Sequence, residues 1–225
     1  MSIQKAEHGL ASFSNRIRLS FSKLIYEGFS YAMIRDQSWQ EPLFQSLAPR
    51  DDDRIVAFGP GSGWTATILA RRFSAARIVA VDTDPTSLEK AQRLVVRHRL
   101  ANLRIVAGAN DNHLSFEAGS FDKAVCVLAF HDHPPEGKRS IASELRRILR
   151  RGGSLYIADY DKPTNANEQR ILKFAERISG PAAAAAHLNG SWTDCLAKAG
   201  FVGVRRQSAH SVGIGLVSII RARKP

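Results

Sequence analysis

Gly59, Gly61 and Gly63 stand at alternate positions between an apolar run, Ile55-Val-Ala-Phe58, and a segment from Trp64 to Phe73 with apolar residues at helical spacing. A short, partly β-branched apolar run is what a buried parallel strand requires, so the glycines fall in a strand-to-helix turn. Without side chains such a turn adopts positive φ and lets a ligand reach the backbone; a bare tight turn is the alternative. Asp82 ends a second apolar run, Arg77-Ile-Val-Ala-Val-Asp82. A carboxylate at the tip of a second strand, about 20 residues past the glycines, reaches the two hydroxyls of a ribose. His131, Asp132 and His133 follow the strand-like run Lys123 to Phe130. Either histidine can carry a proton at neutral pH, or else shape a substrate pocket without proton transfer. No third ligand is spaced to join them in a metal site, and no metal is expected.

Positioning these groups demands alternating strands and helices. The order of the first two runs, with a helix from about Pro85 to Arg99 after Thr83-Asp84-Pro85, is a βαβ unit in which Asp84 reads as the helix cap. A third strand is expected at Leu103 to Ala107, then the polar loop Gly108-Ala-Asn-Asp-Asn112, suited to the edge of a purine or to an ordinary Asn-rich turn. A helix from Glu136 to Leu149 precedes a fifth strand, Ser154 to Tyr160; helices follow at 167–179 and from Trp192 to Ala199. Pro181 to Gly190, with five consecutive alanines, has no clear assignment. Phe201 to Gln207 and Ile214 to Arg221 alternate as a closing antiparallel pair.

The 225 residues suffice for one large core, and no run of about 18 apolar residues is present to span a membrane. The N-terminus lacks a secretory pattern, and Cys126 and Cys195 have neither metal nor disulfide spacing, so a cytoplasmic protein is expected. A net charge of +11 would draw the chain toward an anionic partner without selecting one. Residues 10–34 form a basic amphipathic stretch, with Phe13, Ile17, Phe21, Leu24 and Tyr31 at intervals of three or four and Arg16, Arg18 and Lys23 between them. It could pack on the main domain, cover a pocket, or lie on the anionic inner face of a membrane. The main domain is expected at 51–225 and a helical extension or lid at 1–50, with a short helix at Ser38 to Leu47.

The glycine spacing bears on the cofactor. A dinucleotide turn would carry its third glycine at position 64, where this chain has Trp64, and the Lys-Ser or Lys-Thr of a nucleotide triphosphate loop is missing. The chain resembles the class I S-adenosylmethionine-dependent methyltransferases, in particular their quinone- and small-molecule-methylating branch. The resemblance rests on Ile55 to Gly63, Val79-Ala-Val-Asp82, Leu114 to Asp122, Glu144-Leu-Arg-Arg-Ile-Leu-Arg-Arg-Gly-Gly153 and Ala199-Gly-Phe201 with the hairpin after it. It implies a doubly wound, seven-stranded, mostly parallel α/β sheet of Rossmann-like type.

The resemblance further implies S-adenosylmethionine as cofactor and S-adenosylhomocysteine as product. Phe58, Gly59, Pro60, Gly61 and Gly63 would line the cofactor's methionine and ribose, Asp82 would hold the ribose hydroxyls, and Thr83 would lie beside the adenine. Asn110 or Asp111 would meet the adenine amino group, and Phe130 would close the site near the sulfonium. His131 and His133 are the candidates for proton transfer. Ala57 departs from the family pattern, which has an acid there for the cofactor's amino group; its loss removes about 1.5–3 kcal/mol of charge-assisted hydrogen bonding. The expected acceptor is small and hydrophobic or lipid-like. The alternatives are a weak or inactive cofactor-binding protein and a nucleic-acid methyltransferase; nucleic acid is not expected as a partner, because no matching catalytic or binding signature is found. Oligomeric state is not legible.

Overall fold

A computed structural model of the chain describes residues 37–59, 62–108, 113–213 and 215–225. Its elements run α1 (Gln37–Leu47), β1 (Arg54–Phe58), α2 (Ser62–Arg72), β2 (Arg77–Asp82), α3 (Pro85–His98), β3 (Leu103–Ala107), β4 (Phe121–Val127), α4 (Pro135–Ile148), β5 (Leu149–Tyr160), α5 (Ala166–Ser179), α6 (Pro181–Asn189), α7 (Asp194–Lys198), β6 (Val202–Val212) and β7 (Gly215–Arg223). The seven strands form one sheet in the order β3-β2-β1-β4-β5-β7-β6. All neighbours pair parallel except β7, which is antiparallel to both β5 and β6. This is the expected doubly wound α/β architecture.

Strand periodicity divides the core into two layers. Ile55 and Ala57 face a cluster with Trp39 and Leu43 of α1 and Ala66 and Leu69 of α2. Val56 and Phe58 face the opposite cluster with Ile141 and Leu145 of α4 and Leu196 of α7. α1, assigned by sequence to the extension, places Trp39, Leu43 and Leu47 fully inside the first layer. The basic stretch 10–34 lies outside the described residues.

Local chemistry explains the boundaries. Asp84 caps α3 by accepting from Thr86 N at 3.4 Å and Ser87 N at 2.9 Å, with Pro85 in the first turn. The alanine-rich segment is a helix, α6: Pro181 starts it, Gly190 at φ 85° ends it, and Ala183, Ala184 and His187 form its buried side. Several elements differ from expectation. β5 begins at Leu149 and β6 extends to Val212, because pairing with neighbours carries both beyond their apolar runs. β4 ends at Val127 since Leu128 turns to φ 50°, and α7 is confined to Asp194–Lys198.

Asn102, just before β3, places its Nδ2 3.1–3.2 Å from the carbonyl oxygens of Ala70, Phe73 and Ala76, tying the end of α2 to the sheet. Asn102→Ala leaves these carbonyls without that donor and is expected to lower unfolding free energy in urea by about 1–3 kcal/mol. An unchanged midpoint would contradict this role.

Candidate active site

The chain reverses direction across the sheet between β1 and β4, opening a crevice at the carboxyl ends of the strands, where ligands bind in this class of fold. Gly59 lies there at φ 107°. A Cβ at this position would stand 2.7 Å from Ala129 Cβ and 3.0 Å from Val127 O, so the tail of β4 allows no side chain. Gly59 N and Ser62 Oγ both donate to Val81 O, at 3.3 and 3.0 Å, stitching the turn to the tip of β2. Gly108 N donates to Asp82 O at 2.8 Å. The backbone thereby brings Asp82 beside the turn, with its Oδ1 accepting from Asp84 N at 3.0 Å.

The donor set is selective. Phe58, Gly59, Ser62, Asp82, Thr83 and Gly108 supply a carboxylate, hydroxyls and backbone groups but no Lys or Arg. A polyphosphate would meet no cation among these described residues, whereas a nucleoside carrying a ribose diol and a positive sulfonium meets its complement. The residues present therefore fit S-adenosylmethionine. Gly63 has a different reason to be glycine: a Cβ there would lie 2.4 Å from Ala91 Cβ, where α2 meets α3. Pro60, Gly61, Asn110 and Asp111 lie outside the described residues. Ala57 is buried in the first core layer, so no carboxylate arises at that position.

Beyond the tip of β4, Leu128 holds a left-handed backbone, unusual for a side chain branched at Cγ. The chain then folds back so that His131 Nδ1 lies 2.8 Å from Asp159 Oδ1 at the end of β5. Asp159 is 0 % exposed and His131 3 %. Asp159 also accepts from Phe130 N at 2.7 Å and Tyr160 N at 2.8 Å. Burial works against its ionisation, yet His131 and these donors hold its pKa down at about 2. Burial alone would lower the pKa of His131, but the carboxylates of Asp159 and Asp132 outweigh it and raise it above the usual value. His131 Nε2 lies 3.4 Å from Asp132, whose side chain is about a third exposed.

Around this pair the structure assembles groups that no sequence motif marked. Lys138 of α4 is buried, donating through Nζ to His133 O and, at 2.8 Å, to Ala183 O of α6; burial lowers its pKa. His187 of α6 places Nδ1 2.6 Å from Tyr160 O and stacks on Trp192 at 5.0 Å. Its Nε2 has no partner among the described residues, and burial pushes its pKa down to about 4. His133 is half-buried, with a pKa lowered first by burial and then by Lys138. The ring of Phe130 is wholly buried, 6.2 Å from that of Trp192. His131 therefore joins a charged pair while His133 does not. Asp159 was legible only as a strand-end acid, and Lys138 and His187 carried no sequence signal at all. A cavity of about 480 Å³ between α1 and α2, lined by Phe44, Trp64 and Arg71 among others, lies away from these convergent groups and is not the favoured site.

Residues 55–153 match the family described as a methyltransferase domain. The chain is 27 % identical over 184 residues to the uncharacterized methyltransferase sll0829 of Synechocystis sp., covering 82 % of this chain and 81 % of that one. It is 26 % identical over 132 residues to the ubiquinone/menaquinone biosynthesis C-methyltransferase UbiE of Syntrophotalea carbinolica, covering 58 % of this chain and 53 % of that one. Among solved structures, YcgJ of Bacillus subtilis shares the fold with a TM-score of 0.65 at 15 % identity, covering 82 % of this chain and 98 % of that one.

The two buried histidines pull stability in opposite directions. The folded pKa of His187 is depressed, so the unfolded chain takes its proton first and stability is lost as pH falls from about 6.5 toward about 4. The folded pKa of His131 is raised, so its contribution is present below about 6.5 and lost as pH rises through the folded value. The acid loss from His187 is on the order of 2 kcal/mol at pH 5. Thermal melts of His187→Asn are expected to show a shallower decline than wild type between pH 6.5 and 4.5; parallel curves would contradict the assignment.

Proposed function

Because the chain carries a class I S-adenosylmethionine-dependent methyltransferase domain, we propose that it methylates a small, hydrophobic or lipid-like acceptor. The observation that carries this reading is the setting of the β4 and β5 tips. There the His131–Asp159 pair lies among Phe130, Tyr160, Trp192 and the apolar layers beneath them. Such surroundings favour an apolar ligand with few polar groups to read. The likeness to a protein named as a quinone-biosynthesis methyltransferase supports the same class.

S-adenosylmethionine supplies a methyl group already activated by positive sulfur. The task left to this chain is to hold the acceptor close and aligned and to exclude water. Asp82 is assigned to the ribose hydroxyls, Gly59 and the start of α2 to the methionine portion, and Phe58 and Thr83 to the flanks of the nucleoside. Pro60, Gly61, Gly63, Asn110, Asp111 and Phe130 complete the proposed lining. His131 and His133 are the proposed proton-transfer groups. Among the described residues no helix is long and apolar enough to cross a membrane. Residues 10–34 are proposed as a peripheral contact with the anionic inner face of a membrane, bringing the protein to a lipid-like acceptor.

Calorimetry with S-adenosylhomocysteine tests the cofactor assignment. Asp82→Ala is expected to weaken binding roughly 10- to 100-fold, the equivalent of a charge-assisted hydrogen bond. Unchanged affinity would remove Asp82 from the site. Measurable binding without methyl transfer into an organic-soluble cell extract would favour a cofactor-binding protein with little catalysis, the reading suggested by Ala57.

The membrane proposal has its own test. Sedimentation of the full chain with anionic liposomes is expected to fall when Arg16, Arg18 and Lys23 are replaced by Gln. Sedimentation that is absent, or indifferent to these changes, would leave the acceptor reading without its membrane component.

A further inference from the structure

We propose that the groove over the outer face of α2 is a second ligand site, separate from the strand-end crevice, for a small molecule with a flat apolar body and one carboxylate. Trp64, Thr67, Ile68 and Arg71 recur at intervals of three and four, so they share one stripe of the helix. Ala66, Leu69 and Ala70 take the other side and fill the first core layer. Phe44 of α1 and His98 at the end of α3 join the outer stripe around a cavity of about 480 Å³. That volume lies within the range of roughly 300–1,000 Å³ typical of small-molecule sites.

The wall of this cavity has two chemical characters. Trp64 and Ile68 pack against the core yet stay half-buried, leaving apolar area that a ligand would remove from water. Thr67 spends its hydroxyl donor inside α2, on Gly63 O at 2.7 Å. The rim is basic. Glu41, the only acid among the described lining residues, accepts from both terminal nitrogens of Arg72, at 2.5 and 3.1 Å, and this holds its carboxyl below the usual range. Arg72 also lies over the rings of Phe44 and Phe73, at 5.5 and 5.9 Å. Arg71 and His98 are left, and neither has an acidic partner among the described residues.

This division selects the ligand. The guanidinium of Arg71 is a planar fork that binds a carboxylate through two parallel hydrogen bonds, while an apolar body attached to that carboxylate covers Trp64 and Ile68. A cationic ligand would be repelled by Arg71 and Arg72. The chain's own basic stretch, 10–34, would add Arg16, Arg18 and Lys23 to a rim that is already basic, so charge favours a small anion as the occupant. No part of this argument draws on the methyltransferase reading.

Fluorescence titration of the full chain with anilinonaphthalene sulfonate, an apolar anion, and with its uncharged counterpart phenylnaphthylamine tests the site. The sulfonate is expected to bind once per chain with a dissociation constant on the order of 10 μM. Naphthoate should displace it and naphthol should not. Replacing Arg71 and His98 together by Gln is expected to weaken the sulfonate about 10-fold or more and to leave the uncharged dye within about twofold of wild type. Ile68→Glu should weaken both dyes; should that variant fail to fold, the exposed Arg71 and the His98 change decide.

Equal displacement by naphthol, sulfonate affinity that ignores Arg71 and His98, or no binding of the sulfonate at all would overturn the proposal. Saturating S-adenosylhomocysteine is expected to leave the sulfonate affinity within about twofold, as two uncoupled sites require. Displacement of the sulfonate by S-adenosylhomocysteine would place the dye in the crevice and remove the second site. Failure of the chain to bind S-adenosylhomocysteine would defeat the cofactor reading alone, and the Arg71 and His98 changes would still judge the groove.

Discussion

A single fully buried carboxylate governs the carboxyl end of this sheet. Asp159 accepts from the amides of Phe130 and Tyr160 and from the ring of His131, so one side chain terminates β5, anchors the loop after β4 and orients a histidine. A buried charge is tolerable only when its oxygens are well supplied with donors and an opposite charge stands close. Both conditions are met. The loop has little choice of conformation as a result, since moving it would leave the carboxylate uncompensated. The left-handed backbone of Leu128 is the local strain that this arrangement accommodates.

Two carboxylates at neighbouring strand tips thus have opposite characters. Asp82 ends β2 beside a glycine turn, with its Oδ1 accepting from Asp84 N and no Lys or Arg among the described residues of the turn. Asp159 ends β5 and spends its capacity inward on the protein. The difference follows from what crosses above them. At β2 the chain passes on to an exposed helix cap, while at β5 the acid is wholly buried, held by the loop after β4 with His187 of α6 close by. The two strand tips therefore carry acids with separate electrostatics.

The buried Lys138 belongs to the same logic. Its stem crosses from α4 to reach carbonyl oxygens on the loop after β4 and on α6, tying together two segments that are far apart in sequence. Burial of an ammonium with only carbonyl partners is costly by itself, and proximity to Asp159 and Asp132 offsets that cost. α6 is thereby held against the site from within, through His187 and Lys138 together, although its alanine-rich outer surface contributes little.

The sequence by itself determined the alternation of strands and helices, the glycine turn, the carboxylate at the tip of β2, the Asp84 cap and the antiparallel final hairpin. These are local: each follows from apolar periodicity or from the backbone freedom and capping chemistry of a few adjacent residues. The alanine run resisted reading because it has no periodicity, and only its burial against the site makes it a helix with a face. The extents of β5 and β6 were likewise invisible, since pairing partners rather than their own residues set them. Only the tertiary structure decided which of His131 and His133 meets a charge, because the partner, Asp159, lies 28 residues away on another strand. It also made Lys138 and His187 part of the same cluster and gave Gly63 a packing role against Ala91. Burial, hydrogen-bond partners and pKa are properties of neighbours in space, and a strand order that places β4 beside β5 creates those neighbours.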